Sequence, residues 1–196
     1  MEPQPITQVG PVFSGDSAWQ FVKQQTLFGP RVPNTAAHKA CKEYLIGTLT
    51  SFGATVTAQN ATLTAFDGTK LDATNIIAAF FPEKSNRILL CAHWDSRPWA
   101  DYDPDPANHK QPVMGANDGA SGVGVLLEIA RLLGQVNNGE QPNVGIDIVL
   151  FDAEDYGTPT WYEGRPVENS WGLGSQYWAK QAKACGYKAN YGILLD

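Results

Sequence analysis

The sequence predicts an α/β fold, a mixed and mostly parallel central sheet flanked by helices. Strand-length apolar runs, "RILLCAHW" (87–94), "VGIDIVLFDAED" (144–155) and "YGILLD" (191–196), alternate with segments of helical periodicity. Their order, strand, helix, strand, helix, strand, is that of a βαβαβ unit, whose crossovers make neighbouring strands parallel. The first of these runs is apolar enough to sit in the middle of a sheet.

Taken in order, residues 1–15 form a Pro-rich, polar N-terminal extension, and residues 16–196 make up the domain. "DSAWQFVKQQTLF" (16–28) has the pattern of a helix capped by Asp16, and "GPRVPN" breaks it. Asn34 is expected to cap a second helix reaching about Leu49, with Gly53 just past its end. "TVTAQNATLTAF" alternates like a half-buried strand, whereas "TNIIAAFFP" is apolar almost throughout. After the third strand, "ASGVGVLLEIARLLGQV" (120–136) sets Val125, Leu126, Ile129, Leu132 and Leu133 at helical spacing. "LGSQYWAKQAKAC" is a further helix, followed by Gly186 and the last strand.

At 196 residues the chain can bury one substantial core. A net charge of −6, with no basic run longer than two residues, argues against nucleic acid as the main partner. No apolar stretch has the length of a membrane span. The start carries neither a charged n-region nor an apolar h-region; an extracytoplasmic location, periplasmic or secreted, is expected, with the signal peptide absent from this chain. Three cysteines without a CxxC form neither a disulfide framework nor a thiolate zinc site, and Cys91 is expected in the core.

The chemistry gathers where the strands end. His93 and Asp95 close the third strand, Asp152, Glu154 and Asp155 the next, and Asp196 the last. Within "GANDGASG" (115–122), Asp118 opens the intervening helix, where it is either a helix cap or a site residue. Parallel sheets place their sites beyond the carboxyl ends of the strands, so these groups should share one cleft with His93 at its rim. One histidine and several carboxylates are donors that catalytic zinc accepts. Asp101, Asp103 and Asp105 have the spacing that opens a calcium loop, but Pro106 and Pro112 stand where that loop needs Gly and Glu. His109 is expected as a solvated loop residue and His38 as a surface or packing residue of the second helix.

At these residues the sequence resembles the M28-type zinc aminopeptidases. "HWDS", "GANDGASGVGVLLEIAR" and "FDAEDYG" carry that likeness; "HWDSRPWADYDPDPANHKQPVMGANDGASG" with "ENSWGLGSQYW" narrows it to the bacterial glutaminyl-peptide cyclotransferases. The resemblance implies a zinc-exopeptidase-like α/β/α domain. It implies Asp118 and Asp155 as zinc ligands, Glu154 as general acid/base, and Asp196 as the holder of the substrate amide. His93 would touch metal only if a second zinc binds. One zinc is implied for a cyclase and two for an aminopeptidase, acting as a monomer on peptide or protein N-termini. The family's remaining histidine ligand lies beyond the position of Asp196, so this sequence is expected to be the first two-thirds of the domain.

The implied reaction is cyclisation of N-terminal glutamine to pyroglutamate with release of ammonia. Trp94, Trp161 and Trp171 are candidates to wall the substrate pocket, with core burial the competing reading of each. Aminopeptidase activity, or a non-catalytic domain of the same fold, are the alternatives.

Overall fold

The computed structural model describes residues 10–136, 141–165 and 167–196; the first nine residues of the expected N-terminal extension lie outside these. Its elements are α1 (Gly15–Leu27), α2 (Ala36–Ser51), β1 (Thr55–Thr64), β2 (Lys70–Phe80), β3 (Arg87–His93), α3 (Ala120–Gln135), β4 (Gly145–Phe151), α4 (Leu173–Ala184) and β5 (Tyr191–Leu194). A 3-10 turn, Pro106–Asn108, lies between β3 and α3.

The sheet has the order β1-β2-β4-β3-β5. β3 pairs in parallel with β4 and β5, while β2 pairs antiparallel with β1 and β4. It follows that β1, β4, β3 and β5 point one way and β2 opposes them, which is the mixed sheet expected. β2 begins earlier than its apolar run because the hairpin with β1 pairs Lys70 to Thr64.

Alternation along the strands sorts the core into two layers. Ile76, Ala78 and Phe80 of β2, and Ile146, Ile148 and Leu150 of β4, face α2 and α3, meeting Leu45, Leu49, Val123, Leu126 and Leu127. Each of these larger side chains contributes ~1.5–3 kcal/mol when fully buried. The intervening residues Ile77, Cys91, Val149 and Phe151 face the other way and meet Trp178 of α4. Helices on both faces make an α/β/α sandwich, with α1 outside it against α3. No helix among the described residues is long and apolar enough to cross a membrane.

Both helix caps differ from expectation by one or two residues. Ser14 caps α1, accepting from the Ser17 N–H at 3.1 Å; Asp16 sits inside the first turn, where it favours the helix dipole. Thr35 caps α2, accepting from the His38 N–H at 3.2 Å. Asn34 takes a left-handed φ of 71° and turns to β2, donating to Lys70 O and accepting from the Asp72 N–H. It pins the start of a strand instead of a helix. Gly53 follows α2 with a φ of 87°, as its position predicts.

Candidate active site

In the parallel register His93 lies opposite Phe151, so β3 and β4 end level, and Cys91 lies opposite Leu194, so β5 ends two residues earlier and Asp196 reaches the level of His93. The residues just beyond the three strands therefore meet at one edge. His93 Nε2 is 2.6 Å from Asp118 Oδ1 and 3.6 Å from Asp196 Oδ1. Asp118 is no helix cap, since the N-cap of α3 is Gly119, without a side-chain bond. A Cβ at Gly119 would collide with the carbonyl and ring of His93, so glycine permits Asp118 to approach.

His93 is at the centre of the cluster and not at its rim. It is only 2% exposed, whereas the side chains of Asp118 and Asp196 are more than half open to solvent. The apolar packing that makes β3 a central strand carries its last residue inward.

The acids after β4 lie on a sharply constrained turn. Ala153 adopts φ 50°, a left-handed conformation that costs a side-chain-bearing residue ~1–2 kcal/mol. Asp95 holds the far side of the turn, accepting from the Glu154 and Asp155 N–H groups at 3.0 and 3.1 Å. Residues leading into α4 hold the near side: the N–H groups of Gly172, Leu173 and Gly174 donate to the carbonyls of Glu154, Ala153 and Asp152. At Gly174 any Cβ would fall on the Asp152 carbonyl, so the contact requires glycine.

Charge crowding is visible in the acids. Burial pushes the Glu154 carboxyl up to about 7; His93 opposes the shift, and Asp95, Asp155 and Asp196 reinforce it. Burial, with Asp95 and Asp118 nearby, pushes Asp155 up to about 6 against the pull of Arg97. For His93, burial favours the neutral ring, but the bond to Asp118 and the closeness of Asp95 raise it to about 11. Asp118 is held low by the same bond.

These residues suit a zinc ion. His93 Nε2 and one carboxylate oxygen each from Asp118 and Asp196 lie within 4.8 Å of one another. Imidazole and carboxylate are zinc donors. His93 Nδ1 is buried without a hydrogen-bond partner, standing 3.4 Å from Asp95 Oδ1. The surplus of carboxylates is of the sign a cation relieves.

The expected tryptophans separate. Trp94 is fully buried, donating to Thr74 O at 3.1 Å, and cannot wall a pocket. Trp161 and Trp171 are part-exposed, at 37% and 42%. Trp171 lies under Arg97, 4.6 Å from its guanidinium, and Arg97 donates to Asp155 O. His109 is part-buried and not simply solvated: it stacks on Trp161 and lies 2.8 Å from Asp103 O. Asp103 and Asp105 accept from the local backbone N–H groups of Asp105 and Ala107, and Asp101 pairs with Arg97, so this loop's acids are engaged.

Sequence reasoning placed Asp95 in the cleft without a specific role, and gave none to Arg97 or Arg31. Asp95 stands two residues past His93 and was accessible as part of that polar cluster. Arg97 binds Asp101 at 2.6 and 2.7 Å, and Asp101 accepts from the Thr160 N–H, tying the loop after β3 to the loop carrying Trp161. Arg31, completely buried, donates to the carbonyls of Trp94, Met114 and Gly115 and so fixes the approach to Asp118. No local pattern announces either arginine.

Comparison with known proteins gives a consistent picture. The profile of Peptidase family M28 matches residues 75–196. A solved Bacteroides thetaiotaomicron glutaminyl cyclase, bound to N-acetylhistamine, is 58% identical, with a TM-score of 0.90 over 95% of this chain and 62% of its own. A Zn-dependent exopeptidase from Parabacteroides distasonis is 57% identical, with a TM-score of 0.89 over 95% of this chain and 62% of its own. A leucine aminopeptidase precursor from Bacteroides thetaiotaomicron is 57% identical, with a TM-score of 0.91 over 96% of this chain and 63% of its own. The chain thus spans less than two-thirds of these relatives' lengths.

Proposed function

The chain belongs to peptidase family M28, and from that premise we propose that it carries the active-site acids of a zinc-dependent glutaminyl-peptide cyclotransferase. The observation that carries the proposal is the meeting of His93, Asp118, Glu154, Asp155 and Asp196 at one sheet edge, in a chain 58% identical to a glutaminyl cyclase.

Asp118 and Asp155 would hold one zinc. When bound, zinc supplies a Lewis acid that polarises the side-chain carbonyl of an N-terminal glutamine. Glu154 accepts the proton of the attacking α-amine and returns it to the departing ammonia. Its half-buried carboxyl, pushed up to about 7, is suited to carry a proton both ways near neutrality. Asp196, at the same sheet edge as His93, accepts from the amide N–H and orients it. Trp161 and Trp171 offer part-exposed rings to the substrate side chain.

A second reading, a two-zinc aminopeptidase, is favoured by two observations. His93, Asp118 and Asp196 by themselves form a metal-sized group, and one of the 57%-identical structures is a leucine aminopeptidase precursor. Ammonia release and leucyl-peptide hydrolysis, measured beside zinc content, separate the two. The cyclase reading expects glutaminyl peptides to release ammonia with one zinc per chain. Rapid leucyl hydrolysis with two zincs would replace it and make His93 a ligand.

A further inference from the structure

We infer that His38 and Asp152 are positioning residues, a buried pair that holds the Ala153 turn in the conformation presenting Glu154. The inference rests on the reading of Glu154 as the general base.

The two residues are 114 positions apart, and each is closed off from solvent. His38 Nε2 lies 2.8 Å from Asp152 Oδ1, and the imidazole stacks on Trp94 with centroids 4.3 Å apart. Asp152 Oδ1 also accepts from the Ala153 N–H at 2.8 Å, and Oδ2 accepts from the Thr74 N–H at 2.6 Å. With both oxygens already accepting backbone N–H groups, the imidazole is the donor that completes the carboxylate's shell.

This arrangement has a mechanical consequence. Ala153 is the residue held at positive φ, and Glu154 follows it directly. Left-handed alanine persists only where its surroundings hold it. The Asp152 carboxylate is one of those restraints, because it grips the Ala153 N–H. Without His38 a fully buried carboxylate loses its side-chain hydrogen-bond donor, a costly state that is relieved by rearrangement or protonation. Either outcome loosens the grip on Ala153. Asp95 grips both residues, but Asp155 has a further anchor in Arg97 that Glu154 does not share, so metal binding should be spared while the placement of Glu154 suffers.

Two substitutions divide the roles of the ring. His38→Phe keeps a flat ring to stack on Trp94 but cannot donate. His38→Gln keeps a donor and gives up the stack. In the zinc-loaded protein, His38→Phe should lower kcat by about 10–100-fold, with KM and zinc affinity within about threefold of wild type. His38→Gln should recover most of that loss. A crystal structure of His38→Phe should show Ala153 relaxed to negative φ, a readout independent of activity.

Wild-type kcat in His38→Phe, an equal loss in both variants, or a joint loss of zinc affinity and kcat would overturn the inference. Should His38→Phe not fold, Asp152→Asn probes the same grip, and an unchanged kcat there would overturn it equally. If wild type releases no ammonia from glutaminyl peptides, the cyclase reading fails by itself. The Ala153 conformation in the His38→Phe crystal then decides the positioning role, with positive φ retained counting against it.

Discussion

Asp95 is a carboxylate with two duties in the candidate site. Its oxygens accept from the backbone N–H groups of Glu154 and Asp155, and the same group faces His93 Nδ1 at 3.4 Å. Asp95→Asn turns an amide donor toward one of those N–H groups, so one restraint becomes a repulsion. Zinc affinity and turnover should both fall by about 10–100-fold, measured by metal titration and ammonia release. The acids themselves should behave differently from each other. Glu154→Gln keeps the shape but cannot carry a proton, and turnover should drop by ~10²–10⁴-fold with zinc retained. Asp155→Asn should lose zinc, because a neutral amide is a much poorer ligand. Retained metal in Asp155→Asn, or lost metal in Glu154→Gln, would exchange their roles.

Among the elements, the helix ends are where a one-residue shift has a measurable cost. Ser14 and Thr35 make the capping bonds of α1 and α2, so Ser14→Ala and Thr35→Ala should each cost about 1 kcal/mol in urea unfolding. Asp16→Ala, which removes only a favourable charge in the first turn, should cost a few tenths. Equal losses at Ser14 and Asp16 would return the cap to Asp16. At the start of α4, Gly174 lies so close to the Asp152 carbonyl that Gly174→Ala must displace the helix or the turn. A stability loss of ~1–3 kcal/mol is expected, with turnover lost because the Glu154 turn moves too.

For the whole molecule, the crowded acids predict how stability depends on pH and metal. Glu154 and Asp155 have folded-state values pushed up to about 7 and about 6, and His93 is raised to about 11. In each case the folded state binds more protons than the unfolded one between the two values, so stability falls as pH rises through that window. Asp118, held low, contributes outside it. The chelated protein should therefore melt at a higher temperature at pH 5 than at pH 8. Zinc should narrow the difference by compensating the carboxylates, adding ~2.7 kcal/mol at a hundredfold excess over Kd. A metal-free protein more stable at pH 8 than at pH 5 would contradict the charge crowding.

The layers, and the sheet edge at which the chemistry collects, are legible in local sequence. Apolar periodicity is local, so "RILLCAHW" and "VGIDIVLFDAED" declare buried strands, and the acids that follow them come with those strands. Asp118 is legible for the same reason, since the glycine that admits it to His93 is its immediate neighbour. Three-dimensional packing settled which polar residue caps each helix, because that depends on the direction from which the chain enters. It settled that His93 lies at the centre and that Trp94 is core, because β3 is flanked by β4 and β5 and covered by α2 and α3. The grips on the Ala153–Asp155 turn, Asp95 on its N–H groups, Arg97 on the Asp155 carbonyl and His38 on Asp152, join segments far apart in the chain. Hydrogen bonds between such distant residues leave no periodic trace, since neither partner's neighbours need to change to make them.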